Sequence, residues 1–400
     1  MSRLPPPLPI VQHQDHARWL PVAALSAMTL LIQGTTLMSL GVVLPAMAAD
    51  LGGQAGSAAT AFLLAMSIAN LPVGWALDRI GARPVLLAGI ILSAAGFALA
   101  FVARDLVWLA AAMAVTGAGV GASTIVPGIA IITSLHNARR GLALALFLGA
   151  AVAAGAVVPP FAGAAIDHHG WRTALLLGAT VIALTCPLLV LLVPGGRIRG
   201  EASHASSPWA ALCSARFCRF VLAMTLLQLA INGVLLGAVD ALMAQGLTRP
   251  RAVAAYSSAN LLGLPALLLG GMVADRLGAR RSLIAAVLLL AMGTVALIGV
   301  RAMAMPGVTA FVLLWGVASA LPGQSGSMLL ADTVSPDAFP RALGLNTAII
   351  SLVGALAPVW TDQMRQMSGG YTLPVLVYAG LALAAVPLIA LAAPSKAQTG

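Results

Sequence analysis

Residues 74–86 read GWALDRIGARPVL, and 197 positions later residues 271–283 read GMVADRLGARRSL. Gly, Asp, Arg, Gly and Arg recur in register, each time as a short polar break between two long apolar runs. Other landmarks keep nearly the same spacing: Arg140 and Arg341 each open an apolar run, as do Gly170-Trp171 and Gly370-Tyr371. A pattern that returns after half a chain is the trace of an internal duplication. In apolar sequences it marks two parallel halves that can rock about a shared centre.

Outward from those breaks, the apolar runs are long enough to cross a hydrocarbon layer as helices of about twenty residues. Twelve are predicted: 20–47, 58–77, 85–103, 106–133, 141–164, 171–194, 219–243, 252–273, 282–300, 305–330, 341–361 and 371–393. The fold class is therefore an all-α membrane protein, with two pseudo-symmetric six-helix bundles. Residues 1–19 form a tail, 20–194 the first bundle, 195–218 a linker, 219–393 the second bundle and 394–400 a second tail. Composition agrees, since 60% of the 400 residues are hydrophobic and 8% charged, against roughly a quarter charged in ordinary globular chains.

The formal charge of +10 does not imply a nucleic-acid partner, because the basic residues fall in short clusters between apolar runs. Fifteen of them, from Arg3 to Lys396, lie on the side that carries both termini, and six lie on the other. That asymmetry places both termini in the cytoplasm, consistent with an inner (plasma) membrane location. The three cysteines fit neither a disulfide framework nor a metal site. All six histidines are read as lying in tails or loops, and no predicted helix carries a serine–base dyad or a set of metal ligands. No enzyme activity, metal or cofactor is expected. The expected partners are a small-molecule substrate, a coupling proton if transport is proton-driven, and the bilayer; the chain is expected to be a monomer.

GWALDRIGARPVL resembles the signature loop of the major facilitator superfamily, G-x-x-x-D-R-x-G-R-[RK], with Ala82 departing from the usual basic residue. The resemblance implies that Gly74, Asp78, Arg79, Gly81 and Arg83, with their counterparts Gly271, Asp275, Arg276, Gly278 and Arg280, take part in gating. Asp78 would act near Pro340-Arg341, and Asp275 near Arg139-Arg140. Glycine at 74 and 271 leaves room for another helix. A carboxylate at a helix end can meet a neighbouring helix N-terminus.

Residues 155–172, GAVVPPFAGAAIDHHGWR, look like the monocarboxylate and oxalate/formate branch, and in part like an antiporter signature. Gly155, Pro159, Pro160 and Gly163 suit a bending helix. Two departures bear on mechanism. The predicted eighth helix has no interior basic residue to meet a carboxylate, and Met113 stands where many proton-coupled members carry arginine. Interior polar residues that can line a substrate path are Gln33, Thr36, Ser123, Thr124, Gln228, Asn232, Asn260 and Gln324, with Asn346 a further interior amide. Gln228 and Asn232, four apart, share a helix face.

Two transport functions remain open at this point. One is secondary transport of a small organic acid; the other is export of uncharged or lipophilic compounds. A transporter-like sensor that moves nothing is a third alternative. Asp240, 20 residues after Phe220, falls about 30 Å along its helix and reads as a solvated residue of the outer vestibule. It is taken as the only carboxylate inside a predicted helix and away from the signature loops.

Overall fold

A segment in lipid has to satisfy its main-chain hydrogen bonds within itself. The computed structural model describes residues 12–53, 55–135, 140–196, 214–303, 305–334 and 339–392, and among these it holds only helices joined by short turns. Helix α1 consists of Gln12–Gln33, a π-helical turn Gly34–Met38, and Ser39–Leu51. Then come α2 (Gly56–Ile80), α3 (Ala82–Phe101) and α4, which is divided into Leu106–Ser123 and Ile125–Leu135. Helices α5 (140–169) and α6 (171–190) run on from each other through Gly170, whose φ of 80° turns the chain. The second half contains α7 (Ala215–Ala244), α8 (Arg249–Leu277) and α9 (Ala279–Met303). It continues with α10 (Met305–Ser319 and Leu321–Thr333), α11 (Phe339–Gly354 and Ala357–Ser368) and α12 (Thr372–Ala392).

The twelve expected spans are all present, with two shifts of boundary that matter. Helix α1 begins at Gln12 rather than 20, and α11 continues to Ser368 rather than stopping at 361. The second shift brings Asp362 and Arg365 inside a helix. His168 and His169, expected in a loop, belong to the last turn of α5.

The duplication read from sequence is also a duplication of backbone conformation. Gly81 and Gly278 turn α2 into α3 and α8 into α9 at φ 89° and 83°, Gly170 turns α5 into α6 at 80°, and Gly369, at 70°, opens the three-residue turn before α12. A one-residue turn between antiparallel helices needs positive φ, which glycine adopts without a Cβ penalty. The breaks repeat too: α4 is interrupted at Thr124 and α10 at Ala320.

Small residues let the helices of each bundle touch main chain to main chain, the favoured packing where lipid supplies no hydrophobic drive. A Cβ on Gly117 of α4 would run into the carbonyl of Phe62 on α2. In the second half, a Cβ on Gly316 of α10 would sit 2.5 Å from the carbonyl of Ala259 on α8. Phe62, Phe147, Tyr256, Phe311 and Trp315 fill the spaces left between such contacts and are fully buried.

With twelve crossings, α1 starts and α12 ends on one side, called here the near side. The two bundles meet at the far side. Gly41 of α1 lies against α7, where a Cβ would be 2.9 Å from the Leu236 carbonyl. Arg249 of α8 pairs with Asp167 of α5 at 2.7 Å, and the Tyr256 hydroxyl of α8 donates to the Met38 carbonyl of α1 at 3.1 Å. Helices α2 and α11 meet through Gly56 and Asp362. The structure is sealed at its far end.

Candidate functional site

Between the bundles, the residues expected to line a path separate into those that face one another and those that turn back into their own helices. The π-helical turn of α1 inserts an extra residue per turn, a distortion often found at functional sites, and it follows Gln33 directly. Gln33 Nε2 reaches Thr124 Oγ1 at 3.5 Å, and Thr124 is the residue at which α4 breaks. A distortion in one helix thus meets an interruption in another. Thr36 and Ser123 are buried, and their hydroxyls donate to Ile32 and Gly119 carbonyls of their own helices.

In the second bundle, Gln228 Nε2 donates to Asn232 Oδ1 at 2.8 Å, and Asn232 Nδ2 donates to the Gly354 carbonyl at 3.0 Å. Gly354 ends the first piece of α11, so its carbonyl is one of the acceptors a helix end leaves unsatisfied. Asn232 therefore braces the α11 break, and Gln228 is tied to it through its amide nitrogen. Asn260 donates to the Tyr256 carbonyl, and its Oδ1 lies 2.7 Å from where a Cβ on Gly155 of α5 would be. Gln324 Oε1 and Asn346 Oδ1 are buried and accept no hydrogen bond from the described residues. Buried acceptors without a partner are costly, and these two belong to α10 and α11, the broken helices of this half.

The signature loop does something its sequence did not announce. Arg83 donates from Nε to the Val193 carbonyl at 2.8 Å and from a terminal nitrogen to the Leu191 carbonyl at 2.9 Å, while the Ala82 N–H donates to Gly196. It caps the C-terminal end of α6, where a cation also meets the negative end of the helix dipole. Arg79 stacks over Trp75, 4.8 Å from the ring centre. Gly74 was expected to admit a neighbouring helix, but a Cβ there would meet nothing within 4 Å. In this far-sealed state no helix has come up to it.

Arg276 and Arg280 are exposed, and Asp78 is an exposed carboxylate in the last turn of α2. The surroundings of Gly271 and the side chains of Asp275, Arg140, Pro340 and Arg341, like Arg139 as a whole, lie outside the described residues. Helix α5 passes through Pro159 and Pro160 without leaving helical geometry, and Gly163 makes ordinary contact with Val253 of α8.

Sequence reasoning missed the polar centre at the far seal. Asp240 lines a cavity at the far end and is 23% exposed, but it is more than a solvated vestibule residue: Arg365 pairs with it at 2.9 Å, and the Tyr371 hydroxyl donates to the same carboxylate. Arg365 also lies 3.9 Å from Asp362 and 4.3 Å from the centre of the Tyr371 ring. A carboxylate only accepts, so the Tyr371 hydroxyl, held between Asp240 and the Arg365 guanidinium, acts as the donor. A cavity of 160 Å³ opens beside this cluster, lined by Leu44, Gly56, Gly237, Asp240, Asp362 and Arg365 among others. Asp240 is also not the only helical carboxylate away from the signature loops, because Asp362 lies within α11. The signal was present in TDQMRQMS, where Asp362 and Arg365 stand three apart on one helix face.

Arg83 supports a first expectation. Arg83→Ala should lower the thermal midpoint in detergent by a few degrees, because two charge-assisted hydrogen bonds to the α6 end, one exposed and one partly buried, are worth about 1 kcal/mol together. Arg83→Lys, which retains the charge, should recover about half. A midpoint unchanged in Arg83→Ala would show that the α6 end is held by other contacts.

Two six-helix bundles that meet at one face around a polar interior have the architecture of a membrane transporter. The family model described as Major Facilitator Superfamily matches residues 26–358, and the chain belongs to that superfamily. It is 30% identical over 384 residues to monocarboxylate transporter 11 of Mus musculus, an alignment covering 90% of this chain and 83% of that one. It is 33% identical over 222 residues to monocarboxylate transporter 11 of Homo sapiens, covering 54% of this chain and 46% of that protein. Among solved structures, the nucleoside transporter NupG superposes with a TM-score of 0.76 at 16% identity, over 94% of this chain and 99% of that one. This last likeness concerns the fold alone. The chain is an integral membrane transporter and not an enzyme.

Proposed function

We propose that this protein is a secondary transporter of small monocarboxylates, moved by alternating access through the cleft between the bundles. The observation that carries this reading is the likeness to mouse monocarboxylate transporter 11 along most of both chains. The segment GAVVPPFAGAAIDHHGWR points the same way. In this reading Gln33 with Thr124, Gln228, and the unpartnered acceptors of Gln324 and Asn346 line the substrate path. Asn232 holds its wall, and the two signature loops guard its near side. The near side, with its fifteen basic residues, is cytoplasmic.

The test is uptake into proteoliposomes. Labelled pyruvate or lactate should be accumulated and competed by other short monocarboxylates, not by lipophilic amines. Competition by the amines alone would replace this reading with export of lipophilic compounds, for which the absence of an interior cation from α8 is the supporting feature. No flux with either class would favour a non-transporting role.

The hydrogen bonds also separate two kinds of variant. Gln228→Ala and Gln33→Ala should raise the apparent KM for the carboxylate about fivefold, one lost hydrogen bond of roughly 1 kcal/mol. Asn232→Ala should instead lower the melting temperature with little change in KM, because its partner is the α11 main chain. The reverse pattern would move Asn232 to the substrate and Gln228 to the wall.

A further inference from the structure

Helix α11 stops at Gly354, and after a turn at Ala355 and Leu356 it starts again at Ala357. A restarted helix has a new first turn, whose N–H groups lack partners within the helix. No side chain of α11 caps this start. The cap comes from the other bundle: the Val359 N–H donates to Thr60 Oγ1 of α2 at 3.3 Å. Helix α2 has the same deficiency at its own beginning. Its N-cap position is Ala55, which makes no side-chain cap, and its first turn carries no acidic residue. The missing acceptor arrives from α11, where Asp362 Oδ2 accepts from the Gly56 N–H at 2.6 Å.

We propose that this reciprocal capping of α2 and α11 is the latch of the far gate, with Asp362 as its charged element. Each helix supplies the cap that the other lacks, so neither start is satisfied by protein once the bundles part. Asp362 contributes charge as well as an acceptor, because it faces the positive end of the α2 dipole. Arg365, one turn further along α11 and anchored by Asp240 and the Tyr371 ring, positions that carboxylate from behind. Gly56 completes the fit. A Cβ on Gly56 would stand 2.6 Å from the Pro358 carbonyl and 2.7 Å from Asp362 Cγ, so any side chain there holds the two helices apart. The break in α11 also acquires a purpose, since an unbroken helix would bond the Val359 N–H internally and leave Thr60 nothing to accept.

The latch does not depend on what is carried, so its test is independent of the substrate. Spin labels at Val102→Cys and Met367→Cys, both exposed, report the far ends of the first and second bundles. The three native cysteines are replaced, and the distance distribution is measured in lipid nanodiscs without substrate. The parent protein should be dominated by the short, sealed distance. Asp362→Asn and Thr60→Val should each lower the ratio of sealed to parted forms about tenfold, equivalent to ~1.4 kcal/mol, and Gly56→Ala should lower it further.

Thr60→Val conserves volume and keeps the test available if a glycine variant does not fold. Distributions for Asp362→Asn and Thr60→Val that superimpose on the parent would overturn the proposal. So would a lower melting temperature with unchanged distances, since that result would make the caps a matter of stability alone.

Discussion

Arg365→Met should reduce uptake roughly thirtyfold at equal membrane insertion, a larger loss than either Asp240→Asn or Asp362→Asn. Arg365 lies 2.9 Å from Asp240 and 3.9 Å from Asp362, and the three side chains are between 17% and 32% exposed. Removing the cation leaves two carboxylates facing one cavity with the Tyr371 hydroxyl as the donor to one of them. Deleting one member of a fully buried pair costs about 3–5 kcal/mol. Partial exposure reduces that here to about 2 kcal/mol, or roughly thirtyfold. The same reasoning makes a prediction about repair. In Arg365→Met with Asp240→Asn one of the two uncompensated charges is gone, leaving Asp362 with the Gly56 N–H as its donor, and uptake should recover by about an order of magnitude. Equal damage in the single and double variants would mean that the guanidinium acts on something other than these carboxylates.

The second large effect concerns the bundles themselves. Gly117→Val and Gly316→Val should leave little monodisperse protein after extraction into detergent, because each added side chain meets main chain. Overpacking typically costs about 1–3 kcal/mol where neighbouring side chains can shift. The Phe62 and Ala259 carbonyls belong to α2 and α8 and cannot rotate aside. Gly74→Val is the control, with nothing within 4 Å of its Cβ position, and its melting temperature should stay within the range of ordinary surface changes, about 0.5 kcal/mol. Since the resemblance gives Gly74 a part in gating and its missing Cβ leaves room for another helix, Gly74→Val should be stable and yet slow. A destabilised Gly74→Val would show that the signature glycine has a packing role in the sealed state as well.

A good part of this architecture is legible without coordinates, and the reason is the solvent. In lipid a chain has few choices, so run length marks the helices and charged breaks mark the turns. Repetition of GWALDRIGARPVL as GMVADRLGARRSL located the two halves, and the glycines inside those loops became the positive-φ turns Gly81 and Gly278. The shared face of Gln228 and Asn232 also followed, because four residues return a helix to the same side; the hydrogen bond between them did not. Arg83 shows where such reading stops. Its position was evident, but its partners are carbonyls at the end of α6, 108 and 110 residues away.

The polar residues of the interior needed the folded chain. Apolar length says that a segment spans the membrane but not where its hydrogen-bond ladder is interrupted, so the π-helical turn after Gln33 and the breaks at Thr124, Ala320 and Ala355-Leu356 were not visible. For Asp240, counting along the helix put the carboxylate near the far face and turned away from Asn232, and on that position read it as solvated. Its partner Arg365 comes from α11, and Tyr371 from the turn just before α12. Composition, periodicity and the duplicated loop were thus enough to mark the helices and the two halves, since each depends on local sequence in a lipid solvent, and the loop's resemblance to a known signature pointed to the superfamily. The exchange of caps between Gly56 and Asp362, and between Thr60 and Val359, joins residues about three hundred positions apart. Only the packing of one bundle on the other decides such pairs, because a helix start needs an acceptor without specifying in its own sequence which helix will supply it.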